Sequence, residues 1–251
     1  MKRKLLTPGF GEENLKLLNS IQKEQVFAQW KEQQHDDLRM DLEITPFGEV
    51  LKGFAVKKGV WNPAIVSARH HAAYLYYHSD LFRGKDVIDI GCGTGLMGIV
   101  MAKYGAKNVL MSDLSEKAVA NTRQNIKHFG LTNAKAVVGN LFGSIMTKAD
   151  CITFMLPYFA YFAGDSPEDD TIAASMLASP DVLRRFLNNA HGHLNPDGVI
   201  VAPSFSLAGD RNNPAIMGRE YCYDIITPFM AESTTGLQRG TIAMHELRAR
   251  K

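Results

Sequence analysis

Val87-Ile88-Asp89-Ile90-Gly91-Cys92-Gly93-Thr94-Gly95 decides the fold. Four residues dominated by β-branched types run into three glycines at alternate positions, and the apolar stretch Leu96 to Tyr104 follows. The order is a buried strand, a tight turn and a helix N-terminus. Glycine suits the turn because the backbone must bend sharply, and because side chains there would keep a ligand away from main-chain N–H groups. Such a strand–turn–helix edge favours a nucleotide-like guest.

The spacing narrows the guest. A dinucleotide fingerprint places glycines at its first, third and sixth positions; counted from Gly91, the sixth position is Leu96 and the third glycine comes one residue early, at Gly95. That opposes a nicotinamide oxidoreductase. Asp-Ile-Gly-Cys-Gly-Thr-Gly, with the wider segment Phe82 to Leu131, resembles the cofactor motif of class I S-adenosylmethionine-dependent methyltransferases. The lead-in Gly59-Val60-Trp61-Asn62-Pro63 and the turn Asn140-Leu141-Phe142-Gly143 are similar to those of the seven-strand protein lysine and ribosomal-protein N-methyltransferases. The resemblance covers roughly residues 59 to 160.

Around the motif the pattern alternates between strands and helices. Strands are expected at 87–90, 108–112, 135–138, 151–154 and 199–202, with helices over 63–81, 96–104, 115–129 and 180–194. Alternation of this kind means a parallel sheet wound on both faces. Two further strand candidates, 221–226 and 241–247, have no good helix between them and suggest an antiparallel edge hairpin. The expected fold is α/β: Rossmann-like and doubly wound, with a mostly parallel seven-stranded sheet. Residues 1–60 form an N-terminal extension, and 61–251 the methyltransferase domain. In the extension, a helix over 12–35 puts Leu17, Leu18, Ile21 and Ala28 on one face, and the alternation of 40–44 with Val50, Leu51 and Phe54 suggests a hairpin. Asn62 and Pro63 are suited to open the next helix.

Composition bounds the function. The 251 residues are 45% hydrophobic and 22% charged with net charge +2, ordinary for a globular protein with a full core and without a strong pull toward nucleic acid. The basic start Met1 to Lys4 is not followed by an apolar signal-like stretch. No run approaches the roughly 18 apolar residues of a membrane span. Cys92, Cys151 and Cys222 read as reduced thiols. A cytoplasmic protein is expected, of open oligomeric state.

The resemblance assigns the cofactor, S-adenosyl-L-methionine, to Gly91, Gly93, Gly95, Asp113, Leu114, Asn140 and Met155, with Asp89 supporting the glycine loop through backbone N–H groups. Asp113, 22 residues after Gly91, accepts ribose hydroxyls or serves as a helix N-terminal acid. Asn140 falls where the family often places an Asp for the adenine amino group, or makes a turn.

On the acceptor side, amino-directed relatives often carry Asn-Pro-Pro-Tyr after the fourth strand. Pro157 and Tyr158 fit that pattern, but Met155 stands in the Asn position. Arginine methylation needs a glutamate loop there, and no glutamate occurs between Asp150 and Glu168. Tyr158 is the first candidate for placing the acceptor, with Trp61, Phe159 and Tyr161 around it, since aromatic faces stabilise cations; core packing is the alternative for some of these rings. Glu168-Asp169-Asp170 either attracts a basic substrate or is a solvated loop. His70-His71 and His191-Gly192-His193 lack the spacing of a metal set, and no metal is expected.

The expected reaction is methyl transfer to an amine nitrogen of a protein side chain or small amine, with nucleic acid and membrane not expected as partners. The rivals are an O- or C-methyltransferase of a small metabolite and a non-catalytic cofactor-binding module.

Overall fold

A computed structural model describes residues 19–45, 48–64, 68–157, 159–160, 177–178, 180–235 and 238–250. Helix α1 spans Ser20–Glu32 and a hairpin of β1 (Leu38–Glu43) and β2 (Val50–Val56) follows. Then come α2 (Ala68–Tyr77), β3 (Asp86–Ile90), α3 (Leu96–Lys103), β4 (Asn108–Asp113), α4 (Glu116–His128), β5 (Ala134–Val138) and β6 (Ala149–Phe154). The two-residue strands β7 (Phe159–Ala160) and β8 (Leu177–Ala178) pair with each other. Helix α5 (Pro180–His193), β9 (Leu194–Phe205), α6 (Pro214–Glu220), β10 (Tyr223–Thr235) and β11 (Gln238–Ala249) complete the chain.

The main sheet has seven strands in the order β10-β11-β9-β6-β3-β4-β5. Strands β9, β6, β3, β4 and β5 run parallel, and β10 and β11 form the antiparallel edge hairpin that the sequence suggests. The chain moves outward from β3 through β4 to β5, then returns across β3 to β6. That reversal opens a crevice at the carboxyl ends of β3 and β6, where such sheets take ligands. Alternate residues of the buried strands feed two cores: Val87, Met111 and Val201 pack with α2 and α3, and Ile88, Phe154 and Ile200 with Phe186 and Leu187 of α5.

The hairpin β1–β2 stands apart from the main sheet but buries Leu51, Phe54 and Val56 in the first of these cores. At about 1.5–3 kcal/mol per buried large side chain, this apolar edge holds it on the domain. Polar stitching completes the dock. Asn121 and Asn125 of α4 take Lys57 N–H and Ala55 N–H, at 2.7 and 2.9 Å, and both donate to the Ala55 carbonyl.

Several local expectations are corrected. In α1 the inward face is Val26, Gln29 and Gln33, while Ile21 is 45% exposed and Ala28 only half-buried; Leu17 and Leu18 lie outside the described residues. The face rotates because Gln33 clamps Asn62, donating to its carbonyl (3.1 Å) and accepting its N–H (2.6 Å). Asn62 accepts Ala64 N–H (3.0 Å), and α2 is described from Ala68, with 65–67 outside the described residues. The turn expected at 195–198 is absorbed into β9, with Asp197 at φ 64 and a register shift opposite it on β6. The edge strands are also longer than the apolar runs that announced them.

Candidate functional site

The glycine turn leaves β3 with Gly91, Gly93 and Gly95 at φ values of 64, 56 and 87, a region that L side chains rarely adopt. The three serve different ends. A Cβ on Gly91 would stand 3.0 Å from the Phe154 ring, and one on Gly95 2.8 Å from Thr122 Cγ2. A Cβ on Gly93 would meet nothing within 4 Å. Gly91 and Gly95 thus close the turn against β6 and α4, while Gly93 faces open space.

Acidic groups and the next helix fix the turn. Asp113, half-buried at the end of β4, accepts Gly93 N–H on one oxygen and Ser115 N–H on the other, each at 2.8 Å. Burial raises its pKa, and those two donors work against the rise. Asp89 accepts Gly98 N–H in the first turn of α3 (2.9 Å), so it steadies the helix rather than the loop itself. Burial pushes its carboxyl up to about 7 against the pull of that N–H, and the Asp113 charge adds to the rise. The Cys92 thiol, buried against Thr122, is also pushed up by burial and so is unreactive.

The loop carbonyls are held from behind by residues that the sequence reading missed. Thr122 Oγ1 donates to the Gly93 carbonyl (2.9 Å) and Asn125 Nδ2 to the Thr94 carbonyl (3.0 Å). Polar residues at i and i+3 on the inner face of an amphipathic helix were the available signal.

Asn140 is exposed past β5, and Leu141 beside it sits at φ 52 with its carbonyl held by Ser112 Oγ (3.0 Å). A non-glycine residue at positive φ is tolerated only where its surroundings enforce it, so the turn presenting Asn140 is rigid. Leu114, 64% exposed, flanks Asp113. Met155 is half-buried against the core of α2 and α3, and the Pro157 carbonyl beyond it is held by Asn212 Nδ2. Trp61 is half-buried next to the clamped Asn62. Gly91, Gly93, Gly95, Asp89 and Asp113 are therefore brought to one edge. Tyr158 and Tyr161 lie outside the described residues, as does the side chain of Phe159 in β7.

A glycine cradle, a carboxylate one strand over and a seven-stranded sheet with an antiparallel edge match one family. The model for "Ribosomal protein L11 methyltransferase (PrmA)" matches residues 76–204, just over half of the chain. The chain belongs to this family. A protein N5-glutamine methyltransferase of Methanocaldococcus jannaschii is 31% identical over 136 residues, covering 51% of this chain and 66% of that protein. The ribosomal protein L11 methyltransferase of Caldanaerobacter subterraneus is 39% identical over 129 residues, covering 51% of this chain and 35% of that protein. The matches thus span less than two thirds of the length of these curated relatives. Among solved structures, the T. thermophilus 16S rRNA N2 methyltransferase in complex with AdoMet and guanosine has a TM-score of 0.57 at 16% identity, covering 86% of this chain and 51% of that one. The precorrin-6y C5,15-methyltransferase of Geobacter metallireducens has a TM-score of 0.54 at 12% identity, covering 75% and 93%. At such identities these neighbours establish the fold alone, and their acceptors differ in kind.

Among the described residues no helix is long and apolar enough to cross a membrane, and no three His, Cys, Asp or Glu side chains are grouped to hold a metal ion.

Proposed function

We propose that this protein is an S-adenosylmethionine-dependent methyltransferase acting on a nitrogen of a protein side chain or a small amine. The observation that carries the reading is the Gly93 position: positive φ, open space where a Cβ would stand, and an N–H held by the Asp113 carboxylate. The residues fit the cofactor. The glycine loop would receive its amino-acid portion, Asp113 its ribose, and Asn140 with Leu114 its adenine, with Met155 beside the methyl donor. Bound there, S-adenosylmethionine supplies an electrophilic methyl carbon: a new N–C bond forms as the S–C bond breaks, and the electron pair stays on sulfur. The chain's part is to hold the nitrogen in line, which is worth on the order of 7–11 kcal/mol when alignment is good; the nitrogen's proton leaves to water. Tyr158, Phe159, Tyr161 and Trp61 are the proposed acceptor-side residues.

The names of the curated relatives support a protein acceptor. Met155 in the Asn position argues that the acceptor is not gripped as in the Asn-Pro-Pro-Tyr enzymes. The same reading takes 1–60 as an extension of a domain over 61–251 and places the protein in the cytoplasm.

The test incubates the protein and tritiated-methyl S-adenosylmethionine with a cell lysate, then separates protein, nucleic acid and small molecules. Label in protein amine or amide nitrogen supports the proposal. Label confined to nucleic acid, or to oxygen or carbon of metabolites, overturns it, and so does the absence of any calorimetric heat with S-adenosylhomocysteine.

A further inference from the structure

The crossover from β5 to β6 is built unlike the others. In the main sheet β3 reaches β4 through α3, β4 reaches β5 through α4, and the path from β6 to β9 contains α5. Residues 139–148, between β5 and β6, carry only a turn over 141–144. Parallel strands are ordinarily covered on both faces. One face of β4 and β5 is covered, since Met111 and Ala136 share a core with Val119 of α4. On the other face the crossover helix is missing, and Leu110 is only half-buried while Lys135 is exposed.

The gap is a cavity of about 340 Å³ at the amino ends of β3, β4 and β5. Ile88 and Leu110 line it, and both pack into the second core, so its floor is apolar. Lys135 lines it too and is registered beside Leu110. Side chains alternate between faces along a strand, so Lys135 stands with Leu110 on the face opposite Met111 and Ala136. Lys148 joins the lining from the crossover loop.

The charges around the cavity are unbalanced. Asp86 is the one acid among the lining residues, and its carboxylate accepts from Asn108 Nδ2 (2.7 Å). Asp150, next to it on β6, accepts Asp86 N–H and Asn195 Nδ2–H at 3.0 and 2.8 Å. Both carboxylates are thus turned to amide donors. Among the described residues, neither Lys135 nor Lys148 takes part in an ion pair.

Size decides what the cavity takes. A volume of about 340 Å³ falls at the small end of the range for small-molecule sites. One turn of helix, about 10 Å across and about 5.4 Å long, would already overfill it. We infer that this cavity binds a small organic anion, with a ring-sized apolar body over Ile88 and Leu110 and a carboxylate or phosphate held by Lys135 and Lys148. The site is separate from the glycine turn. Strands β3 and β4 lead away from it to Gly91 and Asp113, roughly 16 Å along at about 3.3 Å per residue. The inference therefore stands independently of the proposed methyl transfer.

The test titrates the full chain by calorimetry with naphthoate, naphthyl phosphate and the neutral naphthamide. Each titration is repeated on two double variants, Lys135→Gln with Lys148→Gln, and Lys135→Arg with Lys148→Arg. All four substitutions are at exposed positions, so melting temperatures should match wild type. At least one anion is expected to bind tenfold or more tightly than the amide, and the tighter one assigns the head group. The glutamine variant should lose that advantage while its amide affinity stays within twofold, and the arginine variant should keep it. Saturating S-adenosylhomocysteine should leave the anion affinity within twofold. The inference is overturned if no probe binds, if the amide binds as tightly as both anions, or if the glutamine variant binds them as wild type does. Displacement of the anions by S-adenosylhomocysteine would place them in the glycine crevice and overturn it as well.

Discussion

Asn125 donates to the Thr94 carbonyl of the glycine loop at 3.0 Å, and the same carboxamide accepts the Ala55 N–H of the N-terminal hairpin at 2.9 Å. One buried side chain thus ties the glycine loop to an element outside the main sheet. Its neighbour Asn121 bonds the hairpin alone, through Ala55 and Lys57. Replacing either by Ala leaves buried backbone groups unmet and should cost about 2–3 kcal/mol of stability in urea melts. Only Asn125→Ala should also weaken S-adenosylhomocysteine binding, by roughly tenfold on the scale where 1.4 kcal/mol is a factor of ten. Equal cofactor affinity in the two variants would refute the coupling.

The glycines of the loop separate folding from binding. Gly95→Ala places a methyl 2.8 Å from Thr122 Cγ2 at φ 87, and should destabilise the fold by about 1–3 kcal/mol. Gly93→Ala meets open space at φ 56 and should cost only about 1 kcal/mol, yet it should abolish measurable S-adenosylhomocysteine binding by calorimetry. A Gly93→Ala protein that binds normally would show that the crevice at Gly93 is not the cofactor site.

The sequence carried the parallel core of the fold because each of β3, β4, β5 and β6 is a short, mostly apolar stretch bounded by turn residues, most of them followed by a helical pattern, and glycine spacing at 91, 93 and 95 admits few backbones. It carried the place of Asp113 at the end of β4, one strand over from the glycine turn, because that place is set by the same frame. It did not carry the contacts of Asn121, Thr122, Asn125 or Gln33, whose partners lie 29 to 70 residues away in the chain. Amphipathic periodicity assigns apolar side chains to a face, so a buried amide on α1 or α4 reads as solvated until its distant carbonyl is known. The inward turn of Gln29 over Ile21 is the same failure, decided by the Gln33–Asn62 clamp.

Stability should depend on pH through Asp89. Its folded-state pKa of about 7 exceeds the ordinary carboxylate value of 3.8 because the group is buried. The folded protein therefore keeps a proton that the unfolded chain releases, and this contribution is lost as pH rises from about 4 through about 7, by up to about 1.4 kcal/mol per unit. Buried His71 and His245, pulled down to about 3 and about 4, act oppositely, since the unfolded histidines take up protons below pH 6.5. The test is therefore a difference. Asp89→Asn keeps an acceptor for Gly98 N–H, so its stability relative to wild type should rise between pH 5 and pH 7.5. A difference that does not change with pH would mean that Asp89 is charged throughout.

Asp113 offers the last separation. Its oxygens hold Gly93 N–H and Ser115 N–H, so the carboxylate both shapes the loop and faces the proposed ribose position. Asp113→Asn retains one acceptor and can satisfy only one of those N–H groups, which should cost about 1–2 kcal/mol of stability. A ribose bound through two hydroxyls needs acceptors that the amide nitrogen cannot supply, so S-adenosylhomocysteine affinity should fall at least tenfold, and more than affinity for a cofactor analogue lacking both hydroxyls. An equal loss for the two ligands would assign Asp113 to loop support and remove it from sugar recognition.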